Sequence, residues 1–194
     1  MNDVETLTRL LRERRSIFPK TYLSDAPIER AEIELILENA RWAPTHKLTE
    51  PWRFRVFHSA ESRKRLSDFL AEYYRNHTPE ELFSEEKMQK AQENPLRAGA
   101  VIALILHPEP IAKLPEFEEI ASLAMAVQNM WLTCHAMGIG AYWSSPASVL
   151  SDAARPVLQV GEGESCLGVF YMGRHNMPAL PGKRGPVEEK TLWM

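Results

Sequence analysis

Arg14-Arg15-Ser16 sets two guanidiniums and a hydroxyl at adjacent positions. Guanidinium forks match phosphate oxygens in pairs and a serine hydroxyl adds a neutral donor, so the triplet reads as a compact anion site. Two further segments carry side chains able to bind a ligand. Ala43-Pro44-Thr45-His46-Lys47-Leu48-Thr49-Glu50-Pro51-Trp52 joins a helical pattern to a strand pattern, and Gly138-Ile139-Gly140-Ala141-Tyr142-Trp143-Ser144-Ser145 follows a long apolar stretch. Near the end of the chain, Lys183 and Arg184 form a second basic pair. Other chemistries leave no trace. There is no glycine-rich dinucleotide fingerprint, no Walker loop and no nucleophile elbow. The histidines at 46, 58, 77, 107, 135 and 175 contain no H-x-x-x-H pair, and Cys134 and Cys166 form no C-x-x-C. Zinc and disulfide frameworks are therefore poor readings. With neither a side-chain nucleophile nor a metal centre announced, a cofactor would carry the chemistry of any enzyme built from this chain.

Composition sets the limits. The 194 residues suffice for one domain with a real core, and the formal charge of -3 argues against nucleic acid as the main partner. Met1 to Glu5 lacks the basic-then-apolar layout of a signal peptide, so the expected location is cytoplasmic. The most apolar helix contains Gln128, Asn129 and His135, which argues against a membrane span.

The elements that must position these residues follow from periodicity. Val4, Leu7, Leu10 and Leu11 predict a helix over 3–15, and Ile33, Leu35, Ile36 and Leu37 a second one reaching about Trp42. Ser24 or Asp25 is the expected cap ahead of it. Alternation over 52–58 predicts a half-buried strand, followed by a helix over 61–74. Residues 75–97, polar and charged, read as a short exposed helix or a mobile excursion that could cover a site. Ala100–Leu106 is continuously apolar and predicts a central strand. The stretch 117–137 predicts a helix apolar nearly all round, with a subunit interface as a natural covering. Short strands are expected at 141–143 and 166–172, with a short helix over 150–160 interrupted at Pro156. The Pro- and Gly-rich tail over 175–194 cannot build a core and either stays loose or lies on another surface. No repeat or linker divides the chain, so residues 1–194 read as one domain.

In their order and separation, the three motifs resemble the FMN-dependent nitroreductase family, in particular its compact branch. The resemblance implies an α+β fold, with a mixed, mainly antiparallel sheet flanked by helices, in a homodimer whose tails wrap the partner. It implies FMN at the subunit interface, with the phosphate gripped by Arg14 and Ser16 and with Arg15 along the ribityl chain or phosphate. Many members carry a basic residue where this chain has Phe18. The closing segment from Gly182 to Glu189 is similar to the family's basic-x-Pro-Leu-Glu-Glu and would replace that charge through Lys183 or Arg184. The family pattern Ala-Pro-Ser-x-x-Asn-x-Gln-Pro-Trp is matched with Leu48 for Asn and Glu50 for Gln. In the compact branch, the positions of Trp42 and His46 reach the flavin across the dimer. A carboxylate at Glu50 can accept from a flavin N–H but cannot donate, so it either turns away or disfavours negative charge on the reduced ring. Trp143, Ser144 and Ser145 match the family's flavin-edge segment, with the donor to N5 falling to Ser145 because Pro146 has no N–H. The implied activity is ping-pong hydride transfer from NAD(P)H to a nitroaromatic, a quinone or a similar small oxidant, without an acid–base side chain. The alternatives are a flavin-storing protein without turnover and a non-redox scaffold.

Overall fold

The structure is a computed structural model that describes residues 2–178 and 181–194. Its core is organised by β2 (Ala100–Leu106), in which every residue is buried. The strand has no polar face because it is covered on both. It lies inside a four-stranded antiparallel sheet with β1 (Trp52–Phe57), β3 (Ile139–Ser144) and β4 (Ser165–Arg174), in the order β1-β2-β4-β3. The only parallel element among the described residues is a bridge from Ser16 to Ala141, on the open edge of β3. Ile102, Leu104 and Leu106 point into one cluster, packed by α2 (Arg30–Ala40) and α5 (Glu116–Ala136). Val101, Ala103 and Ile105 point into the other, packed by α3 (Ala60–His77) and by the short helices α6 (Ala147–Leu150) and α7 (Arg155–Leu158). The α+β class with a mainly antiparallel, helix-flanked sheet is therefore as the sequence implied.

Several boundaries differ from the sequence reading. The first helix, α1 (Asp3–Glu13), opens with a capping box between Asn2 and Glu5 and ends at Arg14, whose backbone is extended. Arg14-Arg15-Ser16 thus leaves the helix and runs onto the edge of β3, where the Ile17 N–H donates to the Ala141 carbonyl at 3.0 Å. Helix α2 is capped by Glu29 with Glu32 rather than by Ser24 or Asp25, and it stops at Ala40, before Trp42. Pro156 lies in the first turn of α7 instead of interrupting a helix, because an N–H there would have no partner within the helix. Helix α3 extends to His77, and residues 75–97 are largely the end of α3 and α4 (Glu85–Arg97). Met88 and Pro95 are buried. The Ser67 hydroxyl donates to the Gln92 carbonyl, and Arg63 donates to the carbonyls of Leu96 and Ala98, so α4 is clamped along α3. Of the two expectations for 75–97, the short helix is therefore found, docked on α3 as a hairpin, and the mobile excursion is not.

Part of the surface is apolar. Val4, Leu7 and Leu11 on α1, and Phe117, Ile120 and Met125 on α5, are exposed. In the tail, β4 ends at Arg174, a bridge pairs Tyr22 with His175, and residues 181–194 are all exposed, with one short turn at Val187–Lys190. Ala179 and Leu180, which belong to the expected tail, lie outside the described residues. Among the described residues, no helix is long and apolar enough to cross a membrane.

Candidate functional site

Leaving α1 at Arg14 turns the first motif toward α5. The Arg14 guanidinium sits over the Trp131 ring, 4.6 Å from its centroid. Burial lowers its pKa, and the nearby charges of Arg15 and Arg184 lower it further. Arg184 reaches this cluster from a point 170 positions along the chain. The tail that delivers it presses on Arg15, since a Cβ on Gly182 would meet the Arg15 Nη2 at 2.0 Å. Arg15 Nη1 donates to the carbonyls of Arg12 and Arg14, both at 2.6 Å. Arg15 therefore holds the turn and the tail, while among the described residues no ion pair engages Arg14 or Arg184. Glu13, the nearest acid in sequence, bonds to Arg9 at 3.0 Å. His135 lies 4.0 Å from Glu13. Burial depresses its pKa; Glu13 opposes that shift, and Arg9, Arg14 and Arg15 reinforce it. Beside the cluster is a cleft of about 220 Å³ that includes Arg15, Trp131, His135 and His175 in its lining.

Beta strand β3 carries the third motif away from this cluster. Ser16 lies opposite Ala141, and Ser144 is three residues further on, about 10 Å at strand rise. Trp143 turns toward α5, and its indole N–H donates to the Leu167 carbonyl at 3.1 Å. That carbonyl is free because Leu167 is the extra residue of a bulge in β4, which shifts the register between Leu104 and Ile105. Gly168 follows at φ +135°, and a Cβ there would meet the Trp143 Nε1 at 2.5 Å and the Ser144 carbonyl at 2.6 Å. Trp143 is thus pinned by the bulge, while Ser145 is exposed at the strand end.

The second motif forms a separate group. Trp42 is 73% exposed; its Nε1 donates to Glu38 at 3.2 Å and its ring lies 5.5 Å from the Arg41 guanidinium. It is not a core residue. His46 Nδ1 contacts Glu118 Oε2 at 2.5 Å, at the start of α5. Lys47, Leu48 and Glu50 all take positive φ, which is uncommon for residues with side chains. The loop is held there by local bonds: the Lys47 ammonium donates to the Ala112 carbonyl at 2.8 Å, and the Glu50 N–H donates to the Thr45 hydroxyl at 3.2 Å. Strain of this kind collects at ligand sites. The Glu50 side chain is exposed, and Arg53 donates to the Glu50 backbone carbonyl at 3.0 Å.

One chain therefore brings together Arg14, Arg15, Ser16 and Arg184, with Trp143, Ser144 and Ser145 further along the same strand edge. His46 and Glu50 belong to a loop at the other end of α5, while Trp42 follows Asn39, which bonds Asn129 and Thr133 on the face of α5 away from Trp131. His46 is tied to Glu118 and Arg14 to Trp131, thirteen residues apart on α5, about 20 Å at helical rise. Sequence reasoning missed Trp131, Glu118 and Thr45, the residues that seat the named ones. They sit in helix and turn patterns that signal packing only. The cluster nonetheless fits a flavin phosphate, because desolvated guanidiniums that repel one another are a cradle for a dianion.

Comparison with known proteins adds the family. Residues 11–174 match the model of the nitroreductase family. YdjA of Escherichia coli K12, named for NAD(P)H nitroreductase activity, is 30% identical over 149 residues, 76% of this chain and 78% of its own. YfhC of Bacillus subtilis strain 168, named likewise, is 26% identical over 188 residues, 97% and 94% of the two chains. Among solved structures, a nitroreductase-type protein of Desulfovibrio desulfuricans in complex with FMN superposes with a TM-score of 0.72 at 26% identity, covering 100% of this chain and 98% of its own.

Proposed function

Because the chain belongs to the nitroreductase family, we propose that it is an FMN-dependent oxidoreductase, using NAD(P)H to reduce a nitroaromatic, a quinone or a similar small oxidant, with the flavin held between two copies of the chain. The observation that carries the reading is the convergence of Arg14 and Arg184 beside Ser16, from opposite ends of the sequence. Bound there, FMN would supply the hydride and electron chemistry that no side chain of this protein offers.

The protein's own part is positioning and electrostatics. Arg14 and Arg184 would take phosphate oxygens in charge-assisted bonds, with the Ser16 hydroxyl as a further donor. The ring would then extend along the edge of β3 toward Ser144 and Ser145, whose N–H groups and hydroxyls are donors to a ring nitrogen. Trp143, fixed by Leu167, would set the depth at which the ring rests.

His46 lies about 20 Å along α5 from the phosphate cluster. Trp42 follows Asn39, which bonds Asn129 and Thr133 on the face of α5 away from Trp131. A two-fold axis near the middle of α5 would bring the group of one copy to the cluster of the other. The exposed apolar stripes of α1 and α5 support such a contact, since a chain that stayed alone would leave them in water. The partner would also supply the tail its covering surface.

Steady-state oxidation of NADH and NADPH by the FMN-loaded protein, with a nitroaromatic and a quinone as acceptors, tests the activity. Acceptor-dependent turnover that disappears with the flavin supports the reading. Tight FMN binding without turnover would make the protein a flavin store.

A further inference from the structure

The helical hairpin of α3 and α4 stands over the end of β3 and encloses a cavity of about 440 Å³. That is the size of a small-molecule site. Its walls include Leu70, Tyr73, Tyr74, Ala147 and Tyr171, an aromatic and aliphatic lining suited to a flat ring. Ser144 and Pro146 also line it and bracket Ser145, so the cavity abuts the strand end that the proposed function assigns to the flavin edge.

The cavity's charge is one-sided. Lys87 and Lys90, one turn apart on α4, line it together with His77, and no carboxylate does. Yet the protein is net acidic and the hairpin itself carries Asp68, Glu72, Glu85, Glu86 and Glu93. None of these acids lines the cavity, and two of them are engaged elsewhere: Asp68 bonds Lys64, and Glu93 bonds Arg97. No ion pair among the described residues engages Lys87 or Lys90. The walls are fixed rather than loose. Tyr73 stacks on His77 with centroids 4.0 Å apart, the His77 Nδ1–H donates to the Tyr73 carbonyl at 3.0 Å, and the Tyr74 hydroxyl accepts from the Ser84 N–H at 3.2 Å.

Resting on the flavin reading for its neighbour, we infer that this cavity seats the oxidant, and that Lys87 and Lys90 select an aromatic ring bearing a carboxylate. The apolar lining holds the ring, and the two ammonium groups at the rim stabilise an anionic substituent and disfavour a cationic one.

The test compares 4-nitrobenzoate with 4-nitrobenzyl alcohol as acceptors of the FMN-loaded protein, in the wild type and in Lys87→Gln/Lys90→Gln. Exposed charges are partly screened, so the expected preference for the acid, read as the ratio of the two KM values, is about three- to ten-fold. It should shrink with added salt and collapse toward one in the double variant. Equal KM values in the wild type, or a ratio that the double variant leaves intact, would overturn the inference. So would a rise confined to the KM of NAD(P)H, which would assign the lysines to the dinucleotide phosphates. Calorimetric titration with 4-nitrobenzoate adds a readout independent of turnover. If the protein holds FMN but oxidises no NAD(P)H, the proposed activity fails. Nitrobenzoate binding, weakened in the double variant, would still uphold the cavity assignment, and its absence would end it.

Discussion

Replacing Arg14 by alanine isolates the phosphate contact. The guanidinium is partly buried, rests on Trp131 at 4.6 Å and is flanked by the charges of Arg15 and Arg184. Removing it deletes one charge-assisted bond to a dianion, worth about 1.5–3 kcal/mol, or roughly a ten- to hundred-fold weaker FMN affinity. Coulomb's law at 4 Å and an effective dielectric of 20 gives about 4 kcal/mol per unit of phosphate charge, so the range lies below the electrostatic limit. The fold should tolerate the change. The lost cation–π contact costs about 0.5–1 kcal/mol, and relief of repulsion from Arg15 and Arg184 offsets part of it. The assay is quenching of flavin fluorescence on titration with FMN and, in parallel, with riboflavin, which has no phosphate. The FMN affinity should fall while that for riboflavin stays put, so that the difference between the two ligands narrows. An FMN affinity equal to the wild type's, or equal losses for both ligands, would refute the anchoring argument.

Three further outcomes are expected. Burial raises the Glu164 carboxyl, but the Gly161 N–H at 2.8 Å, His107 at 3.0 Å and Arg55 at 3.3 Å outweigh it and hold the pKa below the ordinary carboxylate value. Its contribution is therefore full above the unfolded value near 4.3 and is lost as pH falls through the folded one. Glu164→Gln should lower stability at pH 7 by about 1–2 kcal/mol and flatten the acid limb, as read by urea unfolding from pH 7 to 3; an unaltered limb would contradict this. Gly168→Ala puts a Cβ at φ +135° against Trp143 and the Ser144 carbonyl, so it should cost about 2–3 kcal/mol and lower the Tm by roughly 5–10 °C in a thermal melt. Glu50→Gln should raise the two-electron potential of bound flavin, by at most about 60 mV for a charge about 5 Å away and less with solvent screening; dye-coupled redox titration reads it, and an unchanged potential would mean that Glu50 faces away.

The sequence revealed most where a signal was local. Ala100–Leu106 was legible as a central strand because burial on both faces leaves no polar residue to interrupt the run. The helix over 117–137 was legible to within a residue at each end, since its apolar stretch is long. For 75–97 a short helix was legible as one of two expectations, but its docking on α3 was not. Its buried residues, Met88 and Pro95, are few among charges, and the bonds that clamp it reach back to Arg63 and Ser67 on another helix. The phosphate candidates Arg14, Arg15 and Ser16 are contiguous and could be read directly, as could the resemblance that proposed Arg184. That Arg184 joins Arg14, while His46 lies far along α5, is a fact of tertiary packing that no local pattern encodes. The bulge that pins Trp143 is equally silent, because Leu167 continues the apolar strand in sequence.

In the proposed dimer a flavin is shared between two chains, with Arg14 and Arg184 from one and Trp42 and His46 from the other. Two double variants test it, Arg14→Ala/Arg184→Ala and Trp42→Ala/His46→Ala, co-expressed with different affinity tags so that only mixed dimers are recovered. Each mixed dimer would contain one site broken in both halves and one site intact. Equilibrium titration with FMN should then give one tightly bound flavin per mixed dimer, with wild-type affinity, where either double variant alone gives none. A mixed dimer that binds FMN as weakly as its parents would place all four residues in a site built by a single chain, and would contradict the account.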